Sequence, residues 1–291
     1  MISEACRICG AATEHLGAVH GSYSDRDYHL RRCGRCRYAY VADPWTDFAA
    51  IYDDAYYAGR GADPMVDYAF ELDRPQETIR AYEWHGVTEV VRRLLGGLDG
   101  VRWLDFGCGN GGLVRYLGQH TDVDATGFEE GSIAERARGL GVPVLNALEL
   151  ERVNAPFHVV TAIEVLEHTV DPVAELSRIR SLLAPGGLLL LTTGNAAPFA
   201  ARLTEWSYVV PEIHISFFEP PTLGRAMELA GLTPAPLPGW HGFDEIIKFK
   251  VLKNLRFRRR NAATDLIPAR PLARAADRRV RLSQMPIGWA R

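Results

Sequence analysis

Four cysteines stand as two close pairs, Cys6-Arg7-Ile8-Cys9 and Cys33-Gly34-Arg35-Cys36, with 23 residues between them. A two-residue spacer lets both sulfurs of one turn face a single ion, and two such turns complete a tetrahedral site. The pattern predicts a structural zinc ion, because four thiolates leave no coordination position open to water or substrate. Disulfides are disfavoured by the expected cytoplasmic setting. A redox Cys-x-x-Cys is disfavoured because there are two pairs and neither opens a helix after a strand. A second group of residues is Phe106-Gly107-Cys108-Gly109-Asn110-Gly111-Gly112, followed by Glu129. Glycines at 107, 109 and 111 let the backbone turn tightly and approach a ligand closely. An acid at the end of the next strand is placed to hydrogen-bond a ribose. Gly107-x-Gly109-x-x-Gly112 also fits the dinucleotide fingerprint, so these residues alone do not choose between nucleoside cofactors.

Such a loop works only if a strand delivers it and a helix receives it. Val101–Asp105 reads as a short strand, and Leu113, Val114, Tyr116 and Leu117 repeat at helical spacing behind the glycines. Ala125–Glu129 is a second strand, Ile133–Gly139 a helix, and Phe157–Ala162 a third strand. Asp171-Pro172 is a helix start, with Asp as N-cap and Pro at the first helical position. The helix carries Val173, Leu176, Ile179 and Leu183 on one stripe, Pro185-Gly186-Gly187 stops it, and Leu188–Thr193 is a buried strand. Strands alternating with helices predict an α/β fold, an open parallel sheet covered on both faces.

Here the residues carry a resemblance. Leu104-Asp-Phe-Gly-Cys-Gly-Asn-Gly111 resembles the first motif of class I S-adenosylmethionine-dependent methyltransferases. Glu129 matches their ribose-binding acid, Ile163-Glu-Val-Leu-Glu-His168 the segment after the fourth strand, and Leu183-Ala-Pro-Gly-Gly187 the next loop. The order and spacing hold from about residue 80 to 232. The resemblance implies a Rossmann-like seven-stranded sheet whose last strand is antiparallel, and S-adenosylmethionine as cofactor. Its contacts would be Asp105, Gly107, Cys108, Gly109, Glu129 and Glu130, with Asn146 and Ala147 near adenine and Ile163 and Glu164 at the cofactor mouth. It divides the chain into a zinc-binding ribbon (1–42), a helical linker or lid (43–96), a cofactor-binding core (97–245) and a basic C-terminal segment (246–291).

The zinc pattern narrows the resemblance. The cysteine pairs, Tyr38-Ala-Tyr-Val41, Asp43-Pro44 and Tyr52-Asp-Asp-Ala-Tyr-Tyr-Ala-Gly59 are similar to zinc-containing methyltransferases of sugar and natural-product pathways. Those include C-methyltransferases acting on nucleotide-linked ketosugars. The similarity implies His168 and His214 as candidate catalytic histidines and Tyr56 or Tyr57 as a site tyrosine. Pro211 stands where a tyrosine is expected and Ile213 where a glutamate is. Methylation of oxygen on a small molecule is therefore expected ahead of C- or N-methylation. Transfer from a sulfonium is an in-line displacement in which positioning supplies most of the rate. A hydroxyl nucleophile also needs a base, which suits histidine, and aromatic rings suit the sulfonium. A histidine capping local backbone or sitting in the core is the competing reading for both positions.

The formal net charge of −3 conceals an asymmetry. Residues 246–291 carry 13 Lys and Arg against 2 Asp and Glu, whereas residues 1–245 carry 20 against 34. Ile246, Phe249, Leu252 and Leu255, with lysines at 248, 250 and 253, read as a basic amphipathic helix followed by Arg256-Phe-Arg-Arg-Arg260. That segment is either a solvated face or a contact for an anion: a nucleotide-linked or otherwise anionic substrate, the acidic body, RNA or lipid headgroups. Met285–Arg291 is a candidate final strand, which would make the preceding stretch an insertion. An acidic body disfavours a nucleic-acid partner, although a zinc ribbon with a basic segment keeps an RNA methyltransferase as the alternative, beside a non-catalytic cofactor-binding module. The longest aliphatic run, Leu188–Leu191, is far short of the roughly 20 residues of a membrane span. The N-terminal residues lack a signal-peptide pattern, so a cytoplasmic protein is expected.

Overall fold

A computed structural model describes residues 5–237 and 242–290; Arg291, in the candidate final strand, lies outside them. Strands β1 (Thr13–His20) and β2 (Asp27–Cys33) form an antiparallel hairpin with an irregularity between His15 and Gly17. Strand β3 (Ala39–Val41) pairs with β2 on one side. Three short helices follow, α1 (Phe48–Ile51), α2 (Asp54–Tyr57) and α3 (Tyr68–Asp73), each N-capped by an aspartate side chain. Helix α4 (Arg80–Leu95) ends on Gly96 in the left-handed conformation, φ 75°, a position that suits glycine.

The α/β unit then runs β4 (Arg102–Phe106), α5 (Gly112–His120), β5 (Asp124–Phe128), α6 (Ser132–Gly139), β6 (Val144–Leu145), α7 (Ala147–Glu151) and β7 (Phe157–Ile163). It continues with α8 (Pro172–Leu182), β8 (Leu183–Thr192), β9 (Ser216–Phe217), α9 (Pro220–Leu229) and β10 (Leu232–Pro236). Asp171 caps α8 with Pro172 in its first turn, as expected. The next strand begins at Leu183, not Leu188: the Pro185-Gly186-Gly187 stretch lies within β8, where the pairing with β7 is irregular.

The large sheet has seven strands in the order β10-β11-β8-β7-β4-β5-β6, where β11 is Pro286–Ala290. The five strands from β8 to β6 are parallel, and β11 is antiparallel to both neighbours. Thus the last strand of the described chain enters the sheet interior, and the residues before it form an insertion between β10 and β11. That insertion holds α10 (Phe243–Asn254), α11 (Ala262–Leu266) and α12 (Ala269–Val280). Ile246, Phe249 and Leu252 are buried as the spacing predicts, but Leu255 is 64% exposed. The lysines do not form a solvated face. Lys248 is buried over the Tyr82 ring, Lys250 pairs with Glu164, and Lys253 pairs with Asp63.

The cysteine-bearing hairpin is joined to the body by pairing. β9 adds to β3, completing a four-stranded sheet β1-β2-β3-β9. Tyr38 and Ser216 hydroxyls lie 2.6 Å apart, and the amides of Tyr23 and Ser24 donate to the buried Glu212 carboxylate at 2.8 and 3.1 Å. One sheet therefore carries the cysteine turns and the segment that presents His214.

Candidate active site

The carboxyl ends of β4, β5 and β7 open onto a cavity of about 530 Å³, capped by residues 48–68 and α4. A ligand is expected there in an open α/β sheet. Gly107 (φ 73°) and Gly109 (φ 54°) line it in the left-handed conformation. A Cβ at Gly107 would stand 2.7 Å from Val165, and one at Gly109 would stand 3.1 Å from Tyr68. The tight turn thus needs glycine twice, for conformation and for space. Glu129 holds the loop from the next strand, accepting from the Gly109 amide at 2.9 Å and from the Glu130 amide at 2.9 Å. Burial raises its pKa. Asp105 is buried beneath the loop and accepts from Thr161 Oγ1 at 2.7 Å; burial, partly offset by that bond, pushes its pKa up to about 7.

Cys108, Glu130, Ile163 and Glu164 also line this cavity, together with Tyr56, Tyr57 and His168. Asn146 and Ala147 do not; Asn146 instead forms a capping box with Glu149 at the start of α7. His214 lies behind His168, ring centroids 5.0 Å apart. Each histidine is oriented by a main-chain carbonyl: His168 Nδ1 donates to Ile213 O at 2.8 Å, and His214 Nδ1 donates to Tyr208 O at 2.6 Å. In a neutral ring this leaves the lone pair on Nε2. Burial, and then the neighbouring His214, push the His168 pKa down to about 3, and burial lowers that of His214. Both rings are thus held neutral.

Several site residues were not singled out by the sequence. Tyr52 stands in the Tyr52-Asp-Asp-Ala-Tyr56-Tyr57 run, and its hydroxyl is 3.0 Å from His168 Nδ1. Its ring meets Tyr56 edge-on at 4.9 Å, and Tyr68 stacks on Tyr56 at 6.0 Å. The spacing of 52 and 56, neighbours one turn apart, was the available signal. Glu167 is fully buried; Tyr208 donates to its Oε1 at 2.6 Å, while Oε2 has no hydrogen-bond partner among the described residues. Burial, and then the charge of Glu164, push the Glu167 pKa up to about 8. One donor atom from each of Glu167, His168 and His214 lies within 4.8 Å of the others. Glu164 has a left-handed backbone, φ 55°, rare for a residue with a side chain and often found at functional sites. Its carboxylate accepts from Thr192 at 3.0 Å and from Lys250 at 2.8 Å. Burial alone would raise its pKa, but the Lys250 ammonium overrides that and holds it at about 2.

The sulfurs of the other four cysteines also converge. Cys6 and Cys36 Sγ are 3.4 Å apart, Cys9 and Cys33 Sγ 3.5 Å, and all four lie within 4.8 Å of one another. A tetrahedral zinc–thiolate site with bonds of about 2.3 Å has sulfurs roughly 3.8 Å apart. The donor set fits that ion.

Residues 76–236, more than half of the chain, match a family model described as a methyltransferase domain, and the chain belongs to that family. It is a class I S-adenosylmethionine-dependent methyltransferase. The ubiquinone biosynthesis O-methyltransferase of Aeromonas salmonicida is 32% identical over 183 residues, covering 55% of this chain and 74% of that protein. The enzyme of the same name from Bordetella avium is 31% identical over 169 residues, 52% of this chain and 70% of its own length. Among solved structures, a chain from the complex of the Haloferax volcanii Trm112 methyltransferase activator with a methyltransferase shares the fold. Its TM-score is 0.50 at 19% identity, over 82% of this chain and 99% of that one.

Proposed function

We propose that the chain methylates a hydroxyl oxygen of a small, uncharged acceptor, with His168 taking the proton. The observation that carries this reading is the placement of His168 on the cavity wall, its Nδ1 proton committed to Ile213 O. S-adenosylmethionine supplies an electrophilic methyl group on a sulfonium. Asp105, Gly107, Cys108, Gly109 and Glu129 would hold the cofactor, with Glu130, Ile163 and Glu164 at its mouth and Asn146 and Ala147 beyond the cavity lining. Tyr56 and Tyr57, with Tyr52 and Tyr68, offer ring surface to the sulfonium. His168 Nε2 would take the acceptor's proton as the acceptor oxygen displaces the neutral thioether from the methyl carbon, and would then pass the proton to water. The relatives named O-methyltransferases support oxygen as the acceptor atom. Lining carboxylates at 83, 105, 129, 130 and 164 disfavour an anionic acceptor, because the lining's arginine, Arg80, already pairs with Glu71 and Glu83. A nucleotide-linked substrate is therefore placed behind a neutral sugar or phenol. Incubation with isotope-labelled S-adenosylmethionine and fractionated metabolites, followed by mass spectrometry, tests this; label on phosphorylated compounds alone would overturn it. Glu129→Ala should weaken cofactor binding by roughly 10–100-fold in calorimetry, through loss of charge-assisted bonds.

The convergence of Glu167, His168 and His214 supports a second reading, in which a divalent cation activates the acceptor oxygen. Chelation and reconstitution separate the two: turnover unchanged by a chelator that leaves the cysteine site loaded would exclude the cation.

We further propose that Cys6, Cys9, Cys33 and Cys36 bind a structural zinc ion. Because β3 and β9 share a sheet, Cys33→Ser should lower the melting temperature and turnover together while cofactor affinity is retained. An unchanged melting temperature in the metal-free protein would contradict this assignment.

A further inference from the structure

The insertion whose Lys250 pairs with Glu164 of the cavity wall turns a different surface outward. At the end of α10, Arg256 adopts a left-handed backbone, φ 64°, and the chain leaves the helix as Leu255-Arg-Phe-Arg-Arg-Arg260. Leu255 is 64% exposed, Phe257 43% and Leu266 83%. Three of the ten large hydrophobic side chains that stand exposed among the described residues thus fall within twelve consecutive positions, the same positions that hold four arginines. The middle of this stretch and its far end are fixed to the body. The Arg260 amide donates to Glu77 O at 2.7 Å, and Tyr82 donates to Asp265 at 2.7 Å. The exposed apolar groups are therefore held out by a defined backbone and are not a frayed end.

Beyond it, α12 presents Arg270, Arg274 and Arg278 at one-turn spacing. They are exposed and carry no ion pair among the described residues, while Asp277 is buried and bonded to Ser283. The lysines of the insertion face inward; of its arginines, Arg258 donates to Pro64 O, Arg259 lies over the Phe70 ring and Arg260 pairs with Asp265, while Arg270, Arg274 and Arg278 face outward. We propose that residues 255–278 dock on an anionic lipid surface, the arginines meeting headgroup phosphates and Leu255, Phe257 and Leu266 entering the acyl boundary. Charge complementarity selects an anionic partner. The exposed leucines select a bilayer over RNA, because phosphates offer nothing to a leucine whereas an interface rewards its burial. Phe257 and Arg258 line a small cleft with Met65 and Val66, and Tyr68, two residues after Val66, lines the main cavity. Docking would set the lid beside the membrane, where an amphiphilic acceptor concentrates. The surface goes beyond the proposed chemistry and stands whether or not His168 is the base.

The test is co-sedimentation of the full-length chain with phosphatidylcholine vesicles, with and without phosphatidylglycerol. Binding should require the anionic lipid and weaken as salt rises. Reversing Arg270 and Arg274 to Glu should reduce it at least roughly tenfold. Leu255→Asn with Leu266→Asn should reduce it by a similar factor, with cofactor affinity and melting temperature unchanged. Equal sedimentation with neutral vesicles, or none with either, would overturn the proposal. So would binding to a short RNA that displaces the vesicles and is insensitive to the leucine substitutions.

Discussion

Replacing His168 with alanine is expected to lower turnover by about 10²–10³-fold while S-adenosylmethionine affinity changes by less than about threefold. The asymmetry follows from position. His168 stands just after β7, on the cavity wall, and among the described residues its side chain bonds to Tyr52 and Ile213 O, not to a carboxylate of the cofactor-binding set. Its orientation depends on Ile213 O, in the segment that the cysteine-bearing sheet holds through β9, the Val41–Ile215 main-chain bond of 3.0 Å and the Glu212 clasp. His214→Ala, behind it, should cost at least about tenfold by loosening that packing, again with cofactor binding retained. Steady-state kinetics and calorimetry on the same preparations separate the two quantities. Near-wild-type turnover in His168→Ala would remove the proposed base.

Lys250→Met should be the most destabilising single change near the site, by about 3 kcal/mol at neutral pH. Lys250 Nζ lies 2.8 Å from Glu164 and 3.7 Å from Glu83, whose side chains are 29% and 3% exposed. Removing the ammonium leaves two carboxylates in a poorly solvated wall, and a buried pair broken on one side typically costs about 3–5 kcal/mol; the partial exposure of Glu164 favours the lower end. The pH dependence has a definite sign. Burial opposes ionisation of Glu164, but Lys250 lowers its folded pKa from 4.5 to about 2, so the stabilisation is complete above the unfolded value and fades as pH falls between them. The wild-type advantage in urea denaturation should therefore be full at neutral pH and shrink on acidification through that window. A gap independent of pH would mean that Lys250 stabilises through packing alone.

Much of the architecture was legible because it is written locally. A cysteine pair, a glycine turn between strand and helix, an acid ending the next strand and an aspartate–proline helix start each act within a few residues. The elements built from them appear where spacing put them, with β4, β5 and β7 shifted by about one residue. The start of β8 was misjudged, since Pro185-Gly186-Gly187 reads as a break yet lies in the irregular first turn of a paired strand. The insertion was legible in length and charge but not in direction. Alternating lysines and apolar residues look the same to a hydrophobicity pattern whether the lysines meet water or carboxylates.

What the residues alone determined is therefore a nucleotide-type cradle on an α/β sheet, a four-thiolate cluster and a charge reversal near residue 246, all set by short-range geometry. What the tertiary structure decided is which distant groups meet: His214 behind His168, Glu212 against the β1–β2 turn, Lys250 against Glu164, and a final strand between β10 and β8. These pairings join positions tens to hundreds of residues apart. No local period encodes them, because they arise only when burial and hydrogen bonding fix the sheet order and bring the insertion's helix against α4 and Glu164.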